Sequence, residues 1–171
     1  HSHGIVHRDM KGANVLLYAK HTQCTGIDVE VKLADFGLSG LLDPNKKGFN
    51  EFMGTDDHMA PEIVSLKQNP EFNEEGAKEH LHLRKKDGAY DSRVDVWALG
   101  IIVYFLFMGE TPFDDGGEFI DLHVKIMTTE PDFSDPIWVG NEVAKDFICT
   151  CLVKDYKERM TSAALMEHPY L

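Results

Sequence analysis

Asp9, Lys11 and Asn14 place a carboxylate, an ammonium group and a carboxamide within the single stretch His7-Arg8-Asp9-Met10-Lys11-Gly12-Ala13-Asn14. A second acid, Asp35, opens Asp35-Phe36-Gly37. A carboxylate can take the proton of an attacking hydroxyl, and an ammonium group can neutralise an anion in motion. Amide and carboxylate oxygens are the hard donors that magnesium prefers. Transfer of a phosphoryl group asks for this combination, because it depends on positioning and on compensating spread negative charge. Gly37 frees the backbone beside the second carboxylate.

These side chains need elements to hold them. Val15-Leu16-Leu17 reads as a short strand, and Val31-Lys32-Leu33-Ala34 as a second that delivers Asp35. The polar stretch 18–30, which contains Gly26, reads as the hairpin loop between them. A long apolar helix from Asp91 through Phe107 is hydrophobic nearly all round, which predicts a central, buried position. Phe119 to Met127 and Val143 to Leu152 show helical spacing, and Thr161 is placed to cap a last helix running to Pro169. His1-Ser2-His3-Gly4-Ile5-Val6 reads as the end of a helix and the turn into the stretch that carries Asp9. The expected fold is mainly α with small β-hairpins.

Composition narrows the partners. The chain of 171 residues carries 29 acidic against 17 basic residues, a net charge of -12. That balance disfavours nucleic acid or an anionic membrane as partner. The longest uncharged run, Val96 to Gly109, is short for a bilayer span. No signal peptide opens the chain, so an intracellular setting is expected. Cys149 and Cys151 have no companion pair at zinc spacing, and together with Cys24 they read as buried, reduced thiols. His80 and His82 are two apart, which does not place them on one helical face, and no third ligand accompanies them.

His7-Arg8-Asp9-x-Lys11-x-x-Asn14 followed by Asp35-Phe36-Gly37 resembles the signature of eukaryotic protein kinases. Gly54-Thr55, Ala60-Pro61-Glu62, Asp95-x-Trp97-x-x-Gly100 and Arg159 continue the resemblance in order. It covers nearly the whole chain apart from 66–90, which reads as an insertion. The resemblance implies a catalytic domain of the serine/threonine type that moves a phosphoryl group from ATP to a protein hydroxyl with the help of Mg2+. It implies Asp9 as the base, Lys11 beside the transferred phosphate, and Asn14 and Asp35 as magnesium ligands. Arg8 would face the activation segment, and Thr55 with Lys11 marks the serine/threonine type. Glu62 would pair with Arg159, and Asp95 would hold the catalytic loop from beneath.

By the same resemblance, 1–37 carries the catalytic loop and metal motif, 38–62 the activation segment and 91–171 the helical subdomain of a large C-terminal lobe. No Gly-x-Gly-x-x-Gly and no strand lysine precede His7, so the N-terminal lobe is expected to be absent and the chain alone inactive. The alternative is a pseudokinase or a non-catalytic scaffold.

The departures from the family are specific. A residue three before the Gly-Thr pair is commonly phosphorylated in kinases and then paired with the arginine of His-Arg-Asp. Here it is Glu51, and no Ser or Thr occurs from Gly40 to Gly54. The expectation is that Glu51 pairs with Arg8 unmodified. His58 stands where the family usually has Tyr, after Asp56 and Asp57. Ala144-Lys145-Asp146-Phe147-Ile148 leans to the calcium/calmodulin-dependent group, whereas Lys11-Gly12-Ala13-Asn14 is more like kinases upstream of MAP kinases. Ala13 and Phe105 weaken an arginine-directed specificity, and any regulatory segment would lie outside this chain.

Overall fold

A helix that is apolar on every side calls for cover, and the longest helix among the described residues is buried through most of 94–104, with Phe105 and Leu106 exposed near its end. The computed structural model describes residues 1–22, 26–43, 45, 48–66, 89–114, 116 and 119–171. In chain order the elements are β1 (Ile5–Val6), β2 (Val15–Thr22), β3 (Gly26–Leu33), β4 (Gly40–Leu41), α1 (Pro61–Val64), α2 (Arg93–Met108), α3 (Phe119–Thr128), α4 (Glu142–Cys151) and α5 (Ser162–Leu165). Single 3-10 turns lie at Gly12–Asn14, Phe36–Leu38, Asp56–His58 and Pro136–Trp138.

The α2 helix begins where the Asp91 carboxylate accepts the Arg93 N–H at 2.9 Å. It stops at Gly109, whose φ of 76° lets its N–H turn back to the Phe105 carbonyl. Trp97 and Ile101 on α2 are wholly buried, and Val94, Val96 and Tyr104 nearly so. In α4 the buried residues Ala144, Phe147, Ile148 and Cys151 fall on one stripe, which lies against α2. Gly100 permits that approach, since a Cβ there would stand 2.6 Å from Cys151 Cβ. Each large aliphatic side chain buried in this core, such as Ile101 or Ile148, contributes about 1.5–3 kcal/mol. Trp97 also stacks on Phe113 at 5.7 Å, and Trp138 packs against Phe107 at 5.0 Å and Phe133 at 4.9 Å.

Among the described residues, two small antiparallel pairs accompany this helical body. In one, β1 pairs with β4, Ile5 opposite Leu41 and Val6 opposite Gly40. In the other, β2 pairs with β3 from Val15 opposite Leu33 to Thr22 opposite Gly26. The strands therefore run through most of 18–30, where the sequence predicts a loop. Leu16 to Tyr18 and Val29 to Leu33 are exposed whichever way they point. A ribbon without a buried face imposes no alternation on its residues, which is why its polar stretch reads as a loop.

Other expectations are also corrected. Cys149 is exposed, and of the two described cysteines only Cys151 is buried, because α4 turns one toward solvent and the other onto α2. The last helix ends at Leu165, not Pro169, although Thr161 caps it by accepting the Ala164 N–H. Within 1–6, residues 1–4 form a turn closed by the Gly4 N–H on the His1 carbonyl at 2.8 Å, and Ile5–Val6 are a strand rather than part of a turn. The stretch read as an insertion falls, between 67 and 88, outside the described residues, as do His80, His82 and Cys24.

Glu62 and Arg159 meet in the interior. Both Glu62 oxygens accept from the guanidinium, at 2.7 and 3.0 Å. Arg159 also donates to the Val153 carbonyl at 2.9 Å and the Arg93 carbonyl at 3.1 Å, and lies over the Trp97 ring. One cation thus ties α1, the start of α2 and the loop after α4 together. Removing it would leave a buried carboxylate without its partner. Arg159→Ala should lower unfolding free energy by roughly 3–5 kcal/mol in chemical denaturation of the full-length protein. Unchanged stability would show that the pair does not hold these elements together.

Candidate active site

Asp95, in the first turn of α2, sets the geometry of the loop that follows β1. Its two oxygens accept the N–H groups of His7 at 2.8 Å and Arg8 at 2.9 Å. His1 Nε2 lies 2.8 Å from the same carboxylate. Burial pushes the Asp95 carboxyl above its ordinary value, and the two backbone donors pull it part of the way back. Beyond these two donors the chain turns sharply, because Arg8 takes a left-handed conformation, φ 66°. Among the described residues only Arg8 and Asp35 combine a side chain with positive φ.

His7 joins this loop to the segment carrying Asp35. The Asp9 N–H donates to His7 Nδ1 at 3.3 Å, which makes Nε2 the protonated nitrogen. Nε2 accordingly donates to the Ala34 carbonyl at 2.9 Å. The Phe36 ring packs edge-on to the imidazole at 4.8 Å. On the other side, the Ala34 N–H donates to the Asn14 carbonyl at 2.9 Å. Asp35 is thereby flanked by two residues anchored to the stretch that carries Asp9. It is exposed, and its carboxylate accepts the Gly37 N–H at 3.2 Å.

Asp9 stands at the centre of a second set of contacts. The Thr55 hydroxyl donates to Asp9 Oδ1 at 2.6 Å, and Lys11 Nζ donates to Thr55 at 2.8 Å. Lys11 Nζ is also 3.2 Å from Asp9 Oδ2. Asn14 directs its amide nitrogen to the Asp9 carbonyl at 2.9 Å and to Oδ2 at 3.4 Å, which turns its amide oxygen away from Asp9. Burial raises the Asp9 pKa, but the Thr55 hydroxyl and Lys11 outweigh it and hold the carboxyl below its ordinary value.

Arg8 reaches the segment after Asp35-Phe36-Gly37. It donates to the Leu38 carbonyl at 2.7 Å, to the Ser39 carbonyl at 3.3 Å and to Glu51 at 3.0 Å. The structure thus brings Asp9, Lys11, Asn14 and Thr55 together, and Arg8 with Glu51, whereas Glu62, Arg159 and Asp95 lie in the interior. His7, Phe49 and Tyr90 join these contacts, and the sequence assigns none of them a role. His7 belongs to the motif, but Phe49 and Tyr90 carry no signal beyond being aromatic. Further along, Asp57 accepts from His58 at 2.8 Å, and that bond, against partial burial, lowers the Asp57 pKa.

The protein kinase domain family model matches residues 1–171. The chain belongs to the protein kinase family. Among its relatives, a calcium/calmodulin-dependent protein kinase type I of Schizosaccharomyces pombe is 35% identical over the whole of this chain and 44% of its own length. The serine/threonine-protein kinase dst2 of Dictyostelium discoideum is 34% identical over the whole chain and 13% of its own length. Misshapen-like kinase 1 of Rattus norvegicus is 33% identical, again over the whole chain and 11% of its length. This kinase chain therefore spans less than half the length of these relatives. Among the described residues, no helix of the kinase chain is long and apolar enough to cross a membrane.

The Asp9 environment gives a direct test. Because its folded-state pKa is depressed, the group adds stability above its unfolded value, and that stability is lost as pH falls through the folded value. Thr55→Val removes a donor to the carboxylate, so the Asp9 pKa should rise in a 13C carboxyl titration. An unmoved titration would separate Thr55 from the ionisation of Asp9.

Proposed function

We propose that this chain is the catalytic large lobe of a serine/threonine protein kinase, which transfers the γ-phosphoryl group of ATP to a protein Ser or Thr hydroxyl. The observation that carries this reading is the Asp9 carboxylate, which accepts a hydroxyl at 2.6 Å while an ammonium group stands 3.2 Å from its other oxygen. A carboxylate so placed can take the proton of an attacking substrate hydroxyl. Its depressed pKa keeps it ionised and ready to accept at neutral pH. Lys11, shared between Asp9 and Thr55, would bring positive charge to the phosphoryl oxygens.

Asn14 and Asp35 would hold magnesium. The fit is supported by the exposed Asp35 carboxylate and by an Asn14 amide whose nitrogen is engaged by Asp9, so that its hard oxygen donor faces elsewhere. Among the described residues no three His, Cys, Asp or Glu side chains form a metal-holding group by themselves. Magnesium commonly takes only one or two protein ligands and completes its shell with phosphate and water. When bound, the ion would neutralise charge on the nucleotide phosphates.

Near-equal identity to a calcium/calmodulin-dependent kinase and to dst2 supports the phosphoryl transfer they share rather than the regulation of either. The substrate would be a protein, and the setting intracellular, where ATP is abundant. A glycine-rich loop and a strand lysine do not occur before His7 in these 171 residues, so activity is tested in the full-length protein. There, Asp9→Asn should reduce phosphate transfer to a serine- or threonine-containing protein substrate by about 10²–10⁴-fold with the circular dichroism spectrum unchanged. Retained turnover would remove Asp9 as base.

A further inference from the structure

Resting on the kinase reading, we propose that Glu51 orders the activation segment without phosphorylation and that Tyr90 is the positioning residue that holds it against Arg8. The segment from Gly40 to Gly54 contains no Ser or Thr, so its own side chains offer no such hydroxyl to phosphorylate there. Glu51 accepts instead from Arg8 at 3.0 Å. A carboxylate carries a single charge, less than a phosphate. Glu51 is also about half exposed, at 52%, and a pair so placed is screened and weak. The ion pair alone is therefore a modest restraint.

Neutral contacts supply what the charge does not. Phe49 and Tyr90 exchange both main-chain hydrogen bonds, at 2.9 and 2.8 Å, and their rings meet at 5.6 Å. The Tyr90 hydroxyl donates to the Glu51 carbonyl at 3.1 Å. Tyr90 itself is 1% exposed, so this anchor belongs to the core. The Arg8 guanidinium lies 4.5 Å above the Phe49 ring, which completes the connection. Gly48, at φ +120°, brings the segment so close that a Cβ would strike the Tyr90 carbonyl. Gly40 is equally committed, since its Cβ would meet the Phe49 ring and stand 3.0 Å from Arg8. Tyr90 thus fixes the backbone of residues 49 and 51, and the backbone presents the Glu51 carboxylate to Arg8.

The test uses full-length protein made in bacteria and treated with phosphatase, with Glu51→Gln, Tyr90→Phe, their double variant and Glu51→Asp as comparison. Two measurements are made: peptide phosphorylation, and amide hydrogen exchange across residues 38–54. Phosphatase-treated wild type should turn over at its full rate. Glu51→Gln and Tyr90→Phe should each lower kcat about two- to fivefold and speed exchange in the segment. Glu51→Asp should recover part of the loss, and the double variant should fall short of the sum of the singles because both act on one contact. High salt should slow wild type toward Glu51→Gln while leaving that variant little changed. Phosphatase inactivation reversed by an upstream kinase would overturn the proposal, as would wild-type exchange in both single variants or full additivity. If wild type transfers no phosphate in any state, the kinase reading fails, and the exchange measurement still decides whether Glu51 and Tyr90 order the segment.

Discussion

The geometry of the candidate site depends on one carboxylate buried beneath it. Asp95 gathers the N–H groups of His7 and Arg8 at the base of α2. Holding Arg8 in a left-handed conformation costs about 1–2 kcal/mol, whereas each hydrogen bond to a charged acceptor contributes about 1.5–3 kcal/mol. The two bonds to Asp95 together contribute more than that strain costs, so the anchored loop can carry it. With Arg8 turned this way, its side chain reaches Leu38, Ser39 and Glu51, and the next residue, Asp9, meets Thr55 and Lys11. The buried helix thus dictates where the polar side chains stand.

Asp35 shows the same pattern on a smaller scale. It too is left-handed, and its own carboxylate accepts the Gly37 N–H. Its neighbours are fastened to the Asp9 stretch through His7 and Asn14, so the two carboxylates belong to one stitched unit despite lying on separate stretches of chain. Strained backbone at both positions, and nowhere else among described residues with side chains, agrees with the tendency of strain to gather at functional sites.

Much of this unit is legible in the sequence because its chemistry is local. Asp9, Lys11 and Asn14 announce themselves by type and spacing, and the apolar character of α2 announces its burial. Pairs such as Glu62 with Arg159, and Asp95 with the His7-Arg8 backbone, are visible only through family resemblance, since no periodicity links residues so distant. The β2–β3 pairing is hidden because its described side chains lack a buried face. Tyr90 is hidden for a different reason: its bonds to Phe49 use main-chain groups that nearly every residue possesses. The orientation of Cys149 depends on which side of α4 meets α2, which the Cys-x-Cys spacing alone does not decide.

The β2–β3 ribbon has a practical consequence. Leu16, Leu17, Tyr18, Val29, Val31 and Leu33 are all exposed on two paired strands. Apolar strands without a covering layer are natural templates for edge-to-edge aggregation. When these 171 residues are produced alone, the ribbon is where self-association would begin, and charged substitutions on its outward side chains are the rational route to a better-behaved sample.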